Sequence, residues 1–358
     1  MTAIPLNDIH FKITKSDFGS ARQKPHFFKK AIAFLVLCLS SNAYIFAQSY
    51  VGEEKTLLIK SQMPYVALSV DGHQGYFLID YAATLSTIDT SAFTKGSPAP
   101  IGPSTNFNNF DFYGSWGKVT LIHADYSHLQ GLGGIKQAGI IGTDFLSLNA
   151  YLLDYENGKI YRSKEGECTE SWLATHGFKP ASSAGYFADQ ISKLQDNCTS
   201  NVPTIPVRIG KTMAMAQIDP GFDDGIYPHS VNINKAFFDV LEASGVFMQE
   251  LPEANFTLST CVEGITEKVK AFQIADDTKF EIIGMDGSPV MITSDFYIFL
   301  KNPPNAIQSC GGIGTWKIPA AQLGASFLAS AKQVFFDPFH SKVWFRNHDQ
   351  IIYENKAY

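Results

Sequence analysis

Alternating apolar and polar residues predict a β-hairpin that ends in an aspartate. The segment YVALSVDGHQGYFLID places an apolar residue at every second position until a turn at Gly72. The apolar pattern then resumes through Phe77 and Ile79 and runs directly into Asp80. Period-two alternation on both sides of an Asp-Gly turn is typical of a hairpin with one buried face.

The same pattern occurs a second time, about half a chain later. In TIPVRIGKTMAMAQID the alternation runs to Gly210 and continues through Met213, Met215 and Ile218 into Asp219. Two apolar strands that each deliver an aspartate to the start of a turn indicate an internal repeat.

A second pair of similar segments follows the hairpins in the same order. AGIIGTDFLSLNAYLLDYENGKIY (138–161) matches AAQLGASFLASAKQVFFDPFHSKVWF (320–345). In each copy a short, mainly apolar stretch leads into a glycine, Gly142 or Gly324, and Phe-Leu follows. A strand ending in Asp, a turn and a last strand complete each copy. The chain is therefore predicted to contain two equivalent lobes.

The segments between these anchors differ in the two copies. FYGSWGKV (112–119) predicts a hairpin tip in which Gly114 and Gly117 supply the turn geometry. NINKAFFDVLEASG (232–245) predicts a helix with an Asn cap and a closing Gly, the clearest helix of its lobe. Its apolar residues with helical spacing are Phe237, Val240 and Leu241.

The first 47 residues have the order of a secretory signal peptide. A basic cluster at 24–30 precedes the apolar run AIAFLVLCL (31–39), and small residues follow, with cleavage expected after Ala43 or Ala47. The run is too short for a permanent membrane anchor. We therefore expect a leader (1–47), a first lobe (48–164), a linker (165–203) and a second lobe (204–358) in an exported protein, either periplasmic or extracellular.

Composition and charge limit the class of partner. The 358 residues are 45% hydrophobic and 17% charged, as in a globular protein with a large core. Without the leader, 22 Lys and Arg stand against 32 Asp and Glu, a net charge of −10. Such a chain is a poor candidate for nucleic acid or anionic membranes. No metal-binding, dinucleotide or serine-hydrolase motif occurs, so we expect no cofactor and no metal. We also expect the protein to be a monomer.

Four cysteines follow the leader. They are Cys168, Cys198, Cys261 and Cys310. An even number in an oxidising compartment favours two disulfides, for which three pairings are possible. Sequential pairing, Cys168 with Cys198 and Cys261 with Cys310, keeps each loop within one segment and is the pairing we prefer.

These ordered repeats resemble the aspartic peptidases, pepsin-like and retropepsin-like, over roughly residues 55–348. The resemblance implies an all-β, bilobal, pepsin-like double barrel built from two retropepsin-like repeats with few short helices. It also implies that Asp80 and Asp219 form the catalytic pair, sharing a proton and activating a water molecule. Tyr113, Gly114 and Ser115 resemble the Tyr-Gly-Thr/Ser of the flap that covers bound substrate in that family.

The residues next to the two aspartates depart from the family's Asp-Thr/Ser-Gly. Tyr81 and Pro220 occupy the position of the hydroxyl residue, and Pro220 can offer neither a hydroxyl nor an N–H. Gly221 keeps the glycine of the second lobe, whereas Ala82 replaces it in the first. Substrate-binding residues carried over by the resemblance are Tyr81, Ala82, Tyr113, Gly114, Pro220 and Gly221.

Two functions remain open from the sequence. The first is a catalytically impaired pseudo-peptidase whose cleft binds an extended peptide or protein segment in β-conformation. The second is an acid endopeptidase that uses Asp80 and Asp219 as its water-activating pair. The presence of both aspartates favours the second, but the altered triplets make the first the function that we predict, with the second as the alternative.

Overall fold

The computed structural model describes most of the chain that follows the leader. The described residues are 52–101, 105–127, 135–184, 201–222, 227, 229–260, 262, 264–306 and 312–346. The predicted leader, both candidate cleavage sites and Cys198, Cys261 and Cys310 lie outside these residues. Within them, no helix is long and apolar enough to cross a membrane.

Strands dominate both halves of the chain. The first half contains β1 (Glu53–Lys60), β2 (Met63–Val70), β3 (His73–Ile79), β4 (Thr87–Ile88), β5 (Asn106–Phe107), β6 (Phe110–Asp111), β7 (Val119–Thr120), β8 (Ile122–His123), β9 (Gln137–Ile141), β10 (Ala150–Asp154), β11 (Lys159–Ser163) and β12 (Phe178–Ser182). The second half contains β13 (Thr204–Ile209), β14 (Thr212–Ile218), β15 (Ser230–Asn234), β16 (Met248–Glu250), β17 (Phe256–Ser259), β18 (Thr266–Ile274), β19 (Phe280–Ile283), β20 (Pro289–Thr293), β21 (Tyr297–Lys301), β22 (Ala320–Leu323), β23 (Gln333–Asp337) and β24 (Lys342–Arg346).

Helices are few and short in the described part of the chain. The α-helices are α1 (Thr143–Leu146), α2 (Glu170–Thr175), α3 (Lys235–Ala243) and α4 (Ala325–Ala331). The 3-10 helices are Thr90–Ala92, Pro252–Ala254 and Ile313–Thr315.

Two large sheets organise these strands. One has the order β12-β24-β23-β10-β11-β1-β2-β3-β9-β4-β8, with β6 also pairing with β2. The other has the order β16-β18-β21-β15-β22-β14-β13-β19-β20, with β17 pairing with β18. Strands β5 and β7 form a separate pair. The predicted fold class, bilobal and all-β, is confirmed.

The two lobes share one strand order, as the repeat predicts. In the first lobe β3 pairs with β2 in a hairpin and runs parallel to β9, which pairs antiparallel with β4. In the second lobe β14 pairs with β13, runs parallel to β22, and β22 pairs antiparallel with β15. A further parallel strand follows in each, β8 beside β4 and β21 beside β15.

The closing strands of the two lobes join them into one sheet. Antiparallel β10 and β23 pair directly, with Leu152 opposite Phe335. These two residues hold equivalent positions in the repeat, so the local axis relating the lobes passes between them. Strand β12 pairs with β24, so the segment predicted as a linker contributes a helix, α2, and an edge strand to this sheet.

Three local predictions need correction or refinement. In β14 the side chains alternate between the two faces of the sheet, and Ile218 lies on the buried face together with Ala214 and Ala216. Met213 therefore lies on the opposite face and is 47% exposed. Helix α3 begins after its cap Asn234, whose side chain accepts a hydrogen bond from the Phe237 amide. Phe237 and Leu241 are buried as predicted, but Val240 is 42% exposed.

The predicted pairing of Cys168 with Cys198 stays a prediction, because Cys198 lies outside the described residues. Within the described residues Cys168 is a free cysteine. Its side chain is instead hydrogen-bonded to Ser163 at the end of β11. The other half of the predicted pattern, Cys261 with Cys310, stays a prediction because both residues lie outside the described ones.

Candidate active site

The two aspartates occupy equivalent places at the ends of their strands. Asp80 follows β3, and its amide donates to the carbonyl of Ile141 at 3.0 Å. Asp219 follows β14, and its amide donates to the carbonyl of Leu323 at 2.8 Å. Each aspartate is therefore held by the parallel strand that ends in the apolar-Gly motif of its own lobe.

The motif glycines let each aspartate loop lie directly on the neighbouring strand end. A Cβ on Gly142 would stand 2.8 Å from the carbonyl oxygen of Ala83, and one on Gly324 would stand 2.5 Å from that of Phe222. The same two carbonyls accept hydrogen bonds from the amides of Thr143 (2.9 Å) and Ala325 (2.7 Å). No larger residue fits either position without moving the loop.

The structure brings the two carboxyl groups together. The side chains of Asp80 and Asp219 are hydrogen-bonded to each other. Gly221 lies against both: a Cβ there would be 3.1 Å from Oδ2 of Asp80 and 3.2 Å from Oδ1 of Asp219. Each aspartate residue is partly buried and partly exposed.

Backbone N–H groups hold one oxygen of each aspartate. Oδ1 of Asp80 accepts from the amides of Ala82 (2.7 Å) and Ala83 (3.2 Å). Oδ1 of Asp219 accepts from the Gly221 amide at 2.9 Å. Ala82 thus makes the same backbone contact as Gly221 despite its methyl group.

Burial raises the pKa of both carboxyl groups above the usual aspartate value. For Asp80 the amides of Ala82 and Ala83 oppose this rise in pKa. For Asp219 the charge of Asp80 adds to burial, and its pKa lies well above the usual value. The two carboxyl groups titrate as a coupled pair, and the pair therefore retains a proton to higher pH than an isolated aspartate does.

Tyr81 and Pro220 are buried rather than open to a ligand. The Tyr81 ring stacks on Phe336 of β23, with centroids 3.7 Å apart and planes 9° apart. Where the family's hydroxyl would bond across to the other lobe, this chain therefore makes an aromatic contact across the lobes. Tyr81 serves packing of the loop, which corrects its assignment as a substrate-binding residue.

Tyr113 is also buried, and this corrects its assignment to a flap over the pair. Its hydroxyl donates to the carbonyl of Ile160 in β11 at 2.7 Å, and its ring packs against Phe112 and Tyr151. Gly114 is exposed with φ of 103°, so the predicted turn is present. The loop points the tyrosine into the core of the first lobe.

Sequence reasoning missed a polar contact to Asp219. Oδ2 of Asp219 accepts from Nε2 of Gln322 at 2.6 Å, and Oε1 of Gln322 accepts from Nδ2 of Asn232 at 2.8 Å. Gln322 stands in the apolar motif at the position that Ile140 occupies in the first lobe. That polar exception within the repeat was the available signal.

A buried ion pair lies in the same lobe. Lys301 at the end of β21 is 3.5 Å from Oε2 of Glu267, with side chains 17% and 9% exposed. The Lys301 ammonium also lowers the pKa of Asp219. The second-lobe aspartate therefore has a cation in its electrostatic surroundings.

Comparison with known proteins returns a remote structural likeness. The chain is similar to the crystal structure of basic 7S globulin from soybean, with 12% identity and a TM-score of 0.42, over 83% of this chain and 97% of that one. No family model matches the sequence, and no curated protein matches it. A likeness of this degree supports no conclusion about activity.

Proposed function

We propose that this protein is an acid hydrolase of the aspartic-peptidase type that cleaves peptide bonds. The observation that carries the proposal is the hydrogen-bonded pair of Asp80 and Asp219, delivered by equivalent loops of two lobes. Two carboxyl groups in contact are unfavourable unless they share a proton, because like charges this close cannot both ionise readily. A pair that holds one proton combines a base and an acid in one site.

The roles follow from where the proton lies. Ionised Asp80 takes a proton from the attacking water as general base. Protonated Asp219 gives its proton to the carbonyl oxygen of the peptide bond, producing a tetrahedral diol. Breakdown of the diol with protonation of the amine then separates the two products and returns the pair to its singly protonated state.

The raised pKa of Asp219 determines the working range of pH. Activity requires the singly protonated pair, which forms as Asp80 ionises and is lost as Asp219 ionises. Burial and the charge of Asp80 hold the latter pKa well above the usual aspartate value. We expect activity in acid that extends toward neutral pH and disappears in alkali.

The test is cleavage of an unfolded protein substrate by purified protein between about pH 3 and 7. Asp80→Asn and Asp219→Asn should each abolish cleavage. Asp154→Asn is the control, since Asp154 is a buried aspartate away from the pair that is held by Asn157 and Gln333 at the junction of the lobes. Cleavage that survives in either dyad variant would overturn the proposal.

A second function is favoured by the altered loop residues. Ala83 and Phe222 supply no hydroxyl to the carboxyl groups, and Pro220 supplies no N–H, so a site that binds an extended peptide without cutting it is the alternative. Fluorescence anisotropy with labelled peptides distinguishes the two. Stable binding by the wild type with intact peptide recovered afterwards would replace the hydrolase with the pseudo-peptidase.

Export is also part of the proposal. The order of basic cluster, short apolar run and small residues in 1–47 supports removal of this segment. The mass of the mature N-terminus should correspond to cleavage after Ala43 or Ala47. Recovery of the intact N-terminus from the cell interior would contradict it.

A further inference from the structure

A directed chain of amides ends on the second-lobe aspartate. Asn232 of β15 and Gln322 of β22 are direct cross-strand partners, and their side chains are joined by the 2.8 Å bond from Nδ2 to Oε1. Gln322 then donates from Nε2 to Oδ2 of Asp219 at 2.6 Å. Gln322 therefore accepts with its oxygen and donates with its nitrogen, and both bonds run in one direction toward Asp219.

The chemistry of the carboxyl group dictates that direction. Oδ2 of Asp219 is an acceptor, so the Gln322 amide must present its NH₂ group there and its oxygen to Asn232. Asn232 must in turn present its NH₂ group to Gln322. If Asn232 lost its donor, Gln322 would be free to turn over and place an oxygen against Asp219.

The buried side chain of Asn232 lowers the stability of the fold. Its side chain is buried, and its Oδ1 has no hydrogen-bond partner in the described part of the chain. A buried amide with an orphaned oxygen is unfavourable, because the oxygen has lost its water. The side chain of Asn232 donates a hydrogen bond to Gln322, and this bond connects it to the candidate site.

The first lobe has no counterpart to this arrangement. Ile140 replaces Gln322 and Thr87 replaces Asn232 at the equivalent cross-strand pair. Apart from its bond with Asp219, Asp80 accepts hydrogen bonds at Oδ1 from the backbone amides of Ala82 and Ala83 in its own loop. The amide chain therefore makes the two aspartates unequal.

We propose that Gln322, oriented by Asn232, is a positioning residue that holds Oδ2 of Asp219 and so leaves Oδ1 to carry the proton shared with Asp80. It takes the place of the hydroxyl that the family's loop residue supplies, for which this chain has Phe222. This inference rests on the proposed hydrolase function, but its primary test does not require activity.

The first test is the titration of the aspartates by carboxyl ¹³C NMR on the full protein. Hydrogen bonds to the ionised form lower a carboxyl pKa, so Gln322→Leu should raise the upper titration of the pair. The charged groups that act on Asp219 are Asp80 and Lys301, and neither is changed by this variant. Asn232→Leu should raise it as well, because Gln322 is then free to turn over and no charge is added.

The control is a buried glutamine that holds a different buried aspartate. Gln333 donates from Nε2 to Oδ2 of Asp154 at 2.9 Å in the sheet that joins the lobes. Gln333→Leu should lower thermal stability without moving the titration of the pair. Unchanged titration in both Gln322→Leu and Asn232→Leu, with both proteins folded, would overturn the inference.

The second test uses the pH profile of cleavage. Gln322→Leu should lower kcat about 10- to 100-fold with little change in KM, as expected when a reacting group is misplaced. Gln322→Glu should restore activity only in acid, where its carboxyl is protonated and can donate. An inactive wild-type protein would count against the proposed function alone, since the NMR result would still decide the inference.

Discussion

The ring of Tyr81 in the first aspartate loop lies flat on the ring of Phe336 in the closing strand of the second lobe. Tyr81 has no exposed surface, and neither does Phe336. The contact therefore fixes the loop that carries Asp80 against the opposite half of the chain. An apolar contact here replaces a bond that depends on a small hydroxyl residue.

The first prediction is that this stack couples the stability of the two lobes. Tyr81→Ala and Phe336→Ala should each lower the free energy of unfolding by about 3–5 kcal/mol. Because the rings touch, the double variant should show a coupling energy of about 0.5–1.5 kcal/mol in urea unfolding. Tyr81→Ala combined with Phe299→Ala is the control, and additive losses in both double variants would contradict the prediction.

The second prediction concerns the space between the carboxyl groups. Gly221→Ala adds a methyl 3.0 Å from Cδ2 of Leu78 and almost as near to both dyad oxygens. We expect a displacement of a few tenths of an ångström and a loss of about tenfold to a hundredfold in kcat. Gly284→Ala is the control, because its Cβ would be comparably crowded, 2.8 Å from Cγ1 of Val290, in the turn between β19 and β20. Equal activity in both variants would show that the spacing is not critical.

The third prediction is the pH dependence of stability. A carboxyl whose pKa is raised by folding binds more protons when folded, so stability falls as pH rises from the unfolded pKa to the folded one. Asp219→Asn removes this loss because the amide stays neutral. The variant should match the wild type at about pH 3 and exceed it in stability at about pH 7. Urea unfolding across this range would contradict the prediction if the two curves stay parallel.

The location of the pair could be predicted from the sequence because a strand running into aspartate occurs twice, each with its downstream glycine. Gly142 and Gly324 stand where a side chain would collide with the aspartate loop, and the repeated motif marks both positions in the sequence. What could not be predicted are contacts between residues far apart in the chain. The Gln322 bond to Asp219 spans 103 positions, and its only trace in sequence is a polar residue in an apolar slot.

Two aromatic residues show the same limit. The triplet Tyr113-Gly114-Ser115 predicts a turn correctly but not the direction of the ring, which is set by the carbonyl of Ile160 on another strand. Tyr81 occupies a position associated with a hydroxyl bond, and only the packing of the lobes reveals that its ring has a partner. Side-chain direction in loops depends on tertiary neighbours that local pattern does not encode.

The fourth prediction is that Cys168 is unreactive in the folded protein. Burial, with added effects from the charges of Asp337 and Glu167, raises the pKa of its thiol to about 12. At pH 8 about one molecule in ten thousand would then carry the reactive thiolate. Iodoacetamide should label Cys168 slowly in native protein and rapidly in denaturant. A disulfide at Cys168 in the unreduced protein, detected by peptide mass, would contradict the free thiol and restore the predicted pairing.

The fifth prediction separates the electrostatic and structural effects of Lys301. Its ammonium lowers the pKa of Asp219, so Lys301→Met should raise that pKa and extend activity to higher pH. The single variant also leaves Glu267 buried without its cation, which should cost about 3–5 kcal/mol of stability. Lys301→Met with Glu267→Gln removes both charges. It should recover much of the stability and keep the shifted alkaline limb of the pH profile. If the limb returns to its wild-type position in the double variant, the shift comes from distortion rather than from the charge of Lys301.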